Sequence, residues 1–316
     1  MASNIASFNL REVCNAAIAY MADKNVDISE HIKGPDFSTG GYLVKDDEAL
    51  QKIFETGRGS VRVRAKYVYD KKNNVIEIVN IPYSTTVEAI IEKLVELIKS
   101  GKLRDLNDVR DETDKTGLKL TFELKRGVDP EKLMARLFKL TPLEDSFSCN
   151  FNVLINGEPQ VLGVREILKH WVDFRMDCIR RRVLFDIDKK STRLDLLQGL
   201  EKILLDIDKA IFIVRNTPDD SMVVPNLMKG FDITETQAEY VAEIKLRNLN
   251  KDYILKRTSE IENLIAEIED LKKTAQSDAR IKKIISKQLT EIANKYGKDR
   301  MANGIEPSLR QALGLD

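Results

Sequence analysis

Residues 197–214 read LQGLEKILLDIDKAIFIV, and their spacing decides the fold. Leu197, Leu200, Leu204, Ile207, Ile211 and Val214 recur at alternating steps of three and four, which draws one apolar stripe along one side of a helix. A second stretch repeats the pattern with Ile261, Ile265 and Ile268, then Ile285, Leu289, Ile292 and Tyr296. Each stripe needs an apolar partner, and each can supply the other's. A helix of roughly 50 residues spans ~75 Å, about twice the width of an ordinary domain. The stretches from about Arg165 to Arg215 and from about Thr234 to Arg300 are therefore expected to pair antiparallel, as a coiled-coil stalk. Between them Pro218, Pro225 and Gly230 interrupt any continuous helix, so residues 216–233 form the turn of the hairpin. Met222, Val223, Val224, Leu227, Met228 and Phe231 are more apolar surface than a bare turn needs. An apolar tip on a long stalk predicts a contact surface for a second molecule.

Composition bounds the rest. A chain of 316 residues with 42% hydrophobic content can bury a core, and its length suggests two domains. Charged residues make up 32%, as exposed coiled-coil faces require, but Lys+Arg and Asp+Glu are both 51. With a net charge of zero, nucleic-acid contact has to come from a local patch. Cys14, Cys149 and Cys178 are odd in number and form no CxxC pair, so they read as reduced thiols. No apolar run approaches the ~18 residues of a membrane span, and no signal-peptide order opens the chain. A soluble, cytoplasmic protein is expected.

Upstream of the stalk the pattern is mixed. Asn9 and Glu12 form an N-terminal capping arrangement for a helix carrying Leu10, Val13 and Ala17. A helix beginning so near the first residue suggests a piece of something longer. From Gly34 to about Gly163 helices and strands alternate. Val61, Val63 and Ala65 alternate with Arg62, Arg64 and Lys66, residues 70–74 turn the chain, and residues 75–81 return it. Thr85 with Glu88 caps a helix whose inner face holds Ile91, Leu94 and Ile98. Leu118, Leu120, Phe122 and Leu124 mark another strand, Asp129-Pro130 a helix start, and Asn156-Gly157 a hairpin. The fold class is an α+β domain followed by a long antiparallel two-helix coiled coil with a small helical tip, mainly α overall. The expected domains are residues 1–33, 34–163, 164–300 with the tip at about 216–250, and a patternless tail, 301–316.

Few residues offer chemistry. No GxxxxGK[ST] is present, and Gly57-Arg58-Gly59 alone does not make a nucleotide site. His31 and His170 stand apart from any Cys or carboxylate pair, so no metal or histidine catalysis is expected. Residues 110–117 superficially suggest a calcium loop, but their acids have the wrong spacing and a charged turn fits better. Arg58, Arg62, Arg64 and Lys66 are the informative group. They line a strand face without an acid among them, and Gly57 and Gly59 would let a partner approach the backbone. Such a row reads either as a phosphate track, at ~7 Å per repeat, or as a solvated strand face. Arg180, Arg181 and Arg182 point in different directions on their helix and read as solvated or ion-paired.

Taken together, these residues resemble the A subunit of bacterial type IIA DNA topoisomerases, the family of DNA gyrase and topoisomerase IV. The resemblance extends over Met1 to Arg300. It rests on residues 1–5 with Asn9-Leu10, Gly34-Pro35-Asp36-Phe37, Thr56-Gly57-Arg58-Gly59, Ile81-Pro82-Tyr83, Arg110-Asp111-Glu112 with Gly117, and Gln237-Ala238 leading to Leu246-Arg247 and Leu249. It implies that residues 34–163 are the family's tower domain and that residues 1–33 join it to a winged-helix domain. The apolar tip would be an exit gate where Met222, Val223, Leu227, Met228 and Phe231 meet a second copy.

It further implies that Ile5 wedges between base pairs of double-stranded DNA, although a staple residue before a helix is the plainer reading of Ile5 itself. Two departures stand out. The family's frequent Pro-Pro-His after the wedge is Ala6-Ser7-Phe8 here, which predicts a less constrained backbone. The lysine common after Ile-Pro-Tyr is absent from Ser84-Thr85-Thr86-Val87. The family cuts DNA with a tyrosine that follows an arginine, ahead of the segment matching Met1, and none of the eight tyrosines here follows an arginine. No catalytic residue is therefore expected in this chain, and Mg2+ and ATP are expected on the partner B subunit. The reading from another class is a non-enzymatic coiled-coil scaffold with a protein-binding α+β module.

Overall fold

The computed structural model describes residues 2–245 and 250–305. It divides into two units, one comprising Met1–Asp173 with Ser286–Asp316, the other Phe174–Ile285. In the first unit, α1 (Leu10–Ala22) starts where the Asn9 side chain accepts the N–H groups of Arg11 and Glu12. The expected reciprocal bond from Glu12 is not made. Its carboxylate instead takes the Lys33 N–H at 3.0 Å and the Arg300 guanidinium at 2.8 Å.

After β1 (Tyr42–Val44) and α2 (Asp47–Thr56) the cationic strand appears as β2 (Arg58–Arg64), and the ribbon resumes as β3 (Lys66–Asp70) before β4 (Val75–Asn80). Nothing in the alternation of residues 61–66 marks the break at Ala65. β2 lies in a sheet of order β10-β1-β2-β7, whereas β3 opens a second sheet of order β3-β4-β6-β5. These orders use β5 (Leu106–Asp111), β6 (Leu120–Leu124), β7 (Glu144–Asn150) and, far along the chain, β10 (Asn303–Ile305). The hairpin of β8 (Asn152–Ile155) and β9 (Glu158–Val161) turns at Asn156-Gly157, with φ of 52° and 88°. Positive φ at both central residues is the backbone that a two-residue hairpin needs.

Two helices cover the second sheet. Thr86, one residue beyond the expected Thr85, caps α3 (Val87–Lys99) by accepting the Ala89 N–H. Its buried face is Ile90, Leu94 and Leu97; Ile91 is half-buried and Ile98 exposed, a rotation from the expected stripe. Asp129 caps α4 (Pro130–Leu140), and Leu133, Met134 and Leu137 close the core over Ile76, Leu120 and Phe122.

In the second unit the stalk is segmented. α5 (Val164–Leu204) begins in the first unit and runs about 60 Å at 1.5 Å per residue. It stops at Leu205, after which the Asp206 side chain starts α6 (Ile207–Asn216) by accepting the Lys209 N–H. Beyond the turn come α7 (Val223–Phe231), α8 (Glu235–Ala242), α9 (Lys251–Gln276) and α10 (Asp278–Tyr296), the last divided from α9 by Ser277. The expected motif residues Leu246, Arg247 and Leu249 lie outside the described residues.

The antiparallel pairing holds. Arg180 bonds Asp278 at 2.7 Å, Lys190 bonds Glu267 at 2.6 Å and Arg193 bonds Glu260 at 2.9 Å, so numbers rise on one helix as they fall on the other. Leu197 and Leu200 meet Ile261 and Leu264, not Ile265, which is exposed. Ile211 and Val214, beyond the break that resets the stripe after Leu204, are exposed too, and so are Ile292 and Tyr296, although they share α10 with the buried Ile285 and Leu289. The segment from Met301, expected as a patternless tail, contains β10, which pairs parallel with β1 and follows a fully buried Ala302. Residues 306–316 lie outside the described residues.

Candidate nucleic-acid interface

β2 is flanked by β1 and β7, and its pleat sends Val61 and Val63 inward and Arg58, Ser60 and Arg62 outward. The pairing with β7 places Asn150 opposite Arg58, Ser148 opposite Ser60, Ser146 opposite Arg62 and Glu144 opposite Arg64. Directly opposed residues share a face, so two arginines stand among three hydroxyls and an amide. Inward from them, Phe147 and Cys149 are buried, and burial pushes the Cys149 thiol up to about 11.

The four predicted cations do not have the same fate. Among the described residues no ion pair holds Arg58, which is exposed at the start of the strand. Arg62 touches Glu144 at 3.4 Å with 44% of its side chain exposed, whereas Arg64 bonds the same carboxylate at 2.6 Å with 12% exposed. Arg64 also stacks over Phe138, 4.7 Å from the ring centroid. Lys66 begins the other sheet, donates to the Met301 carbonyl at 3.0 Å and lies over Tyr42. The row is thus split into two outward-facing arginines and two cations held by the chain itself.

The glycines serve the chain's own packing. Gly57 ends α2 at φ 69°, where a side chain would collide with the Leu162 carbonyl, and one at Gly59 would meet Ile53.

Ile5 arrives at this same sheet. Asn4 and Asn150 exchange backbone hydrogen bonds, each 2.9 Å, which adds the N-terminal segment alongside β7. Asn150 and Asn152 further donate their amides to the Ala2 carbonyl at 3.2 and 3.1 Å. Ile5 is left 47% exposed. The structure therefore gathers Ile5, Arg58 and Arg62 at one sheet, and adds Ser60, Ser146, Ser148 and Asn150. Sequence reasoning passed over these last four, although the Ser146-x-Ser148-x-Asn150 alternation around buried Phe147 and Cys149 was the signal.

Other predicted groups fall elsewhere. Residues 110–117 form a charged turn in which the hydroxyls of Thr113 and Thr116, and then their N–H groups, donate to Asp111 and Asp114 and hold both carboxyls below their usual range. Arg180 and Arg181 are ion-paired, to Asp278 and Asp177. Among the described residues no three His, Cys, Asp or Glu side chains gather as metal ligands would, and no helix is long and apolar enough to cross a membrane.

The tip residues sort in the same way as the cations. Leu227 is buried in a small core with Ile203, Ala210, Ile233 and Ala238, and Val223, Met228 and Phe231 pack against it half-buried. Much of the tip's apolar content therefore serves its own core. Met222 is exposed, and so are residues that sequence reasoning did not single out for the tip surface, notably Leu205 at 84% and Phe212 at 67%.

The chain belongs to the family of DNA gyrase/topoisomerase IV A subunits, whose profile matches residues 1–290. It is similar to the DNA gyrase A subunit of Ureaplasma parvum, 38% identical over 306 residues that make up 95% of this chain and 36% of that protein. The gyrase A subunit of Borrelia hermsii is 34% identical over 95% of this chain and 38% of its own length. The DNA topoisomerase 4 A subunit of Pseudomonas aeruginosa is 36% identical over 99% of this chain and 42% of its own. The chain spans well under half the length of these relatives.

Proposed function

We propose that this chain is the tower and coiled-coil part of the DNA breakage-reunion subunit of an ATP-dependent type II topoisomerase. On this reading it supports and bends double-stranded DNA on the β2–β7 face and meets a second copy of itself through the tip. One observation carries the first half. An exposed apolar side chain, Ile5, and two outward arginines, Arg58 and Arg62, are held by one sheet whose intervening positions are hydroxyls and an amide. Arginines bond phosphate oxygens and serines add neutral donors, while an isoleucine at a kinked base step offsets lost stacking with wider contact. Arg58 and Arg62 are four residues apart, ~13 Å along the strand, so each can take a different phosphate.

The tip contact rests on Leu205, Phe212 and Met222, apolar side chains left exposed after the tip's own core is filled. The family's cleaving tyrosine is absent from the sequence, so the chain would support DNA without cutting it. Mg2+ and ATP would belong to a B subunit, and the working compartment would be the cytoplasm.

Filter binding of duplex DNA across a salt series tests the first half. Reversing Arg58 and Arg62 to Glu is expected to weaken binding by ten-fold or more at low salt and to flatten the salt dependence. The same reversal leaving affinity unchanged would refute the interface. For the tip, the wild type is expected to elute from a sizing column as a dimer and Phe212→Asp as a monomer, and identical elution would refute that contact.

A further inference from the structure

We propose that Ser7 and the Asp36 peptide form a clamp that fixes the backbone of Ile5 before any DNA is bound. The inference rests on the reading of Ile5 as a DNA wedge and names the residues that position it. Ser7 is gripped twice by one residue. Its carbonyl accepts the Asp36 N–H at 2.8 Å, and its hydroxyl donates to the Asp36 carbonyl at 2.8 Å.

Asp36 is itself immobilised. One carboxylate oxygen accepts the N–H groups of Met301 and Ala302 at 2.9 and 2.8 Å, and the other accepts the Asn9 amide at 3.1 Å. The next residue, Phe37, is buried and stacks on Tyr83. On the other side of Ile5, Asn4 is tied to Asn150 by two backbone bonds. Ala6 between them is buried, and Phe8 packs edge-on against Phe151 with centroids 6.0 Å apart. Ile5 thus projects from a segment fastened one residue before it and two residues after it.

The loose backbone expected of Ala6-Ser7-Phe8 is therefore not what the structure shows. Hydrogen bonds and packing supply the restraint that ring closure would otherwise give. A restrained backbone matters for a wedge, because inserting a side chain from a flexible segment adds an ordering cost to the cost of unstacking the bases.

Two measurements on the full chain separate the clamp from the wedge. Without DNA, Ser7→Ala is expected to speed amide exchange across residues 4–8 by about three- to ten-fold, the loss of one hydrogen bond, while Ser7→Thr, which keeps the hydroxyl, stays near wild type. Unchanged exchange in Ser7→Ala overturns the clamp. With end-labelled duplex, the bent fraction at saturating protein should fall by a similar factor in Ser7→Ala, with affinity within about two-fold because Ile5, Arg58 and Arg62 are intact, and should nearly vanish in Ile5→Ala. Bending in Ile5→Ala equal to wild type overturns the wedge reading instead, even where exchange upholds the clamp. Normal bending in Ser7→Ala alongside lost bending in Ile5→Ala overturns the positioning role.

Discussion

Two carboxylates in this molecule are each shared by a pair of arginines, and the pairs differ in a way that separates structure from function. On the sheet of the first unit, Glu144 holds Arg64 tightly at 2.6 Å and Arg62 loosely at 3.4 Å, with exposures of 12% and 44%. In the second unit, Glu260 bonds both Arg193 and Arg257, each partly buried and each stacked over a tyrosine, Tyr240 and Tyr253. The second arrangement is closed, since both cations have an anion and a ring. The first is lopsided and leaves one guanidinium with most of its donors turned to water. An arginine's availability to a phosphate therefore follows from what already holds it, which a count of cations along a strand does not report.

Arg64→Ala removes the tight partner of a half-buried carboxylate and the stacking on Phe138, and should lower unfolding stability by about 2–4 kcal/mol while leaving the salt slope of DNA binding unchanged. Chemical denaturation together with the salt series checks both, and intact stability with a reduced slope would reverse the roles of the two arginines.

A smaller effect is expected at Glu260, where Glu260→Gln should cost about 1–2 kcal/mol at neutral pH. Burial pushes this carboxyl up, but the Arg193 hydrogen bond and charge, with Arg257 behind them, outweigh burial and hold it below its ordinary value. Its contribution is therefore present above the ordinary carboxylate range and is lost as pH falls through the lowered value. The gap between wild type and Glu260→Gln should shrink on acidification, and a gap that widens would contradict the pairing.

The smallest structural effect is expected at Arg62. Arg62→Ala should change stability by less than about 0.5 kcal/mol, as exposed pairs do, yet lower the salt slope by about one. A variant that loses stability and keeps its slope would make the two carboxylates alike.

Legibility in the sequence followed periodicity. The strand period is two residues, so Val61 and Val63 were placed inward and Arg62 outward without error. The helical period is not a whole number, and every break restarts the count. Within α9 either Leu264 or Ile265 fits a three-and-four step between Ile261 and Ile268, and packing takes Leu264, whereas Ile211 and Val214 lie beyond the stop at Leu205. The family resemblance and the antiparallel pairing survived these errors because they depend on many short markers and on overall length. Long-range hydrogen bonding was the least visible. Nothing local announces that Ser7 meets Asp36, that Arg300 meets Glu12, or that residues 303–305 return to line up beside β1.

Ala65, the buried residue between β2 and β3, has a consequence for how this chain can vary. The ribbon leaves one sheet and enters the next there, with the Ala65 N–H bonded to the Leu143 carbonyl at 2.7 Å. Because sides alternate residue by residue, inserting or deleting a single amino acid at this junction would turn β3 inside out, bringing exposed Val68 to the core side and half-buried Tyr67 and Tyr69 to the solvent. Length changes at position 65 should therefore be tolerated in pairs and rejected singly, a parity constraint that the turn at residues 70–74 does not share.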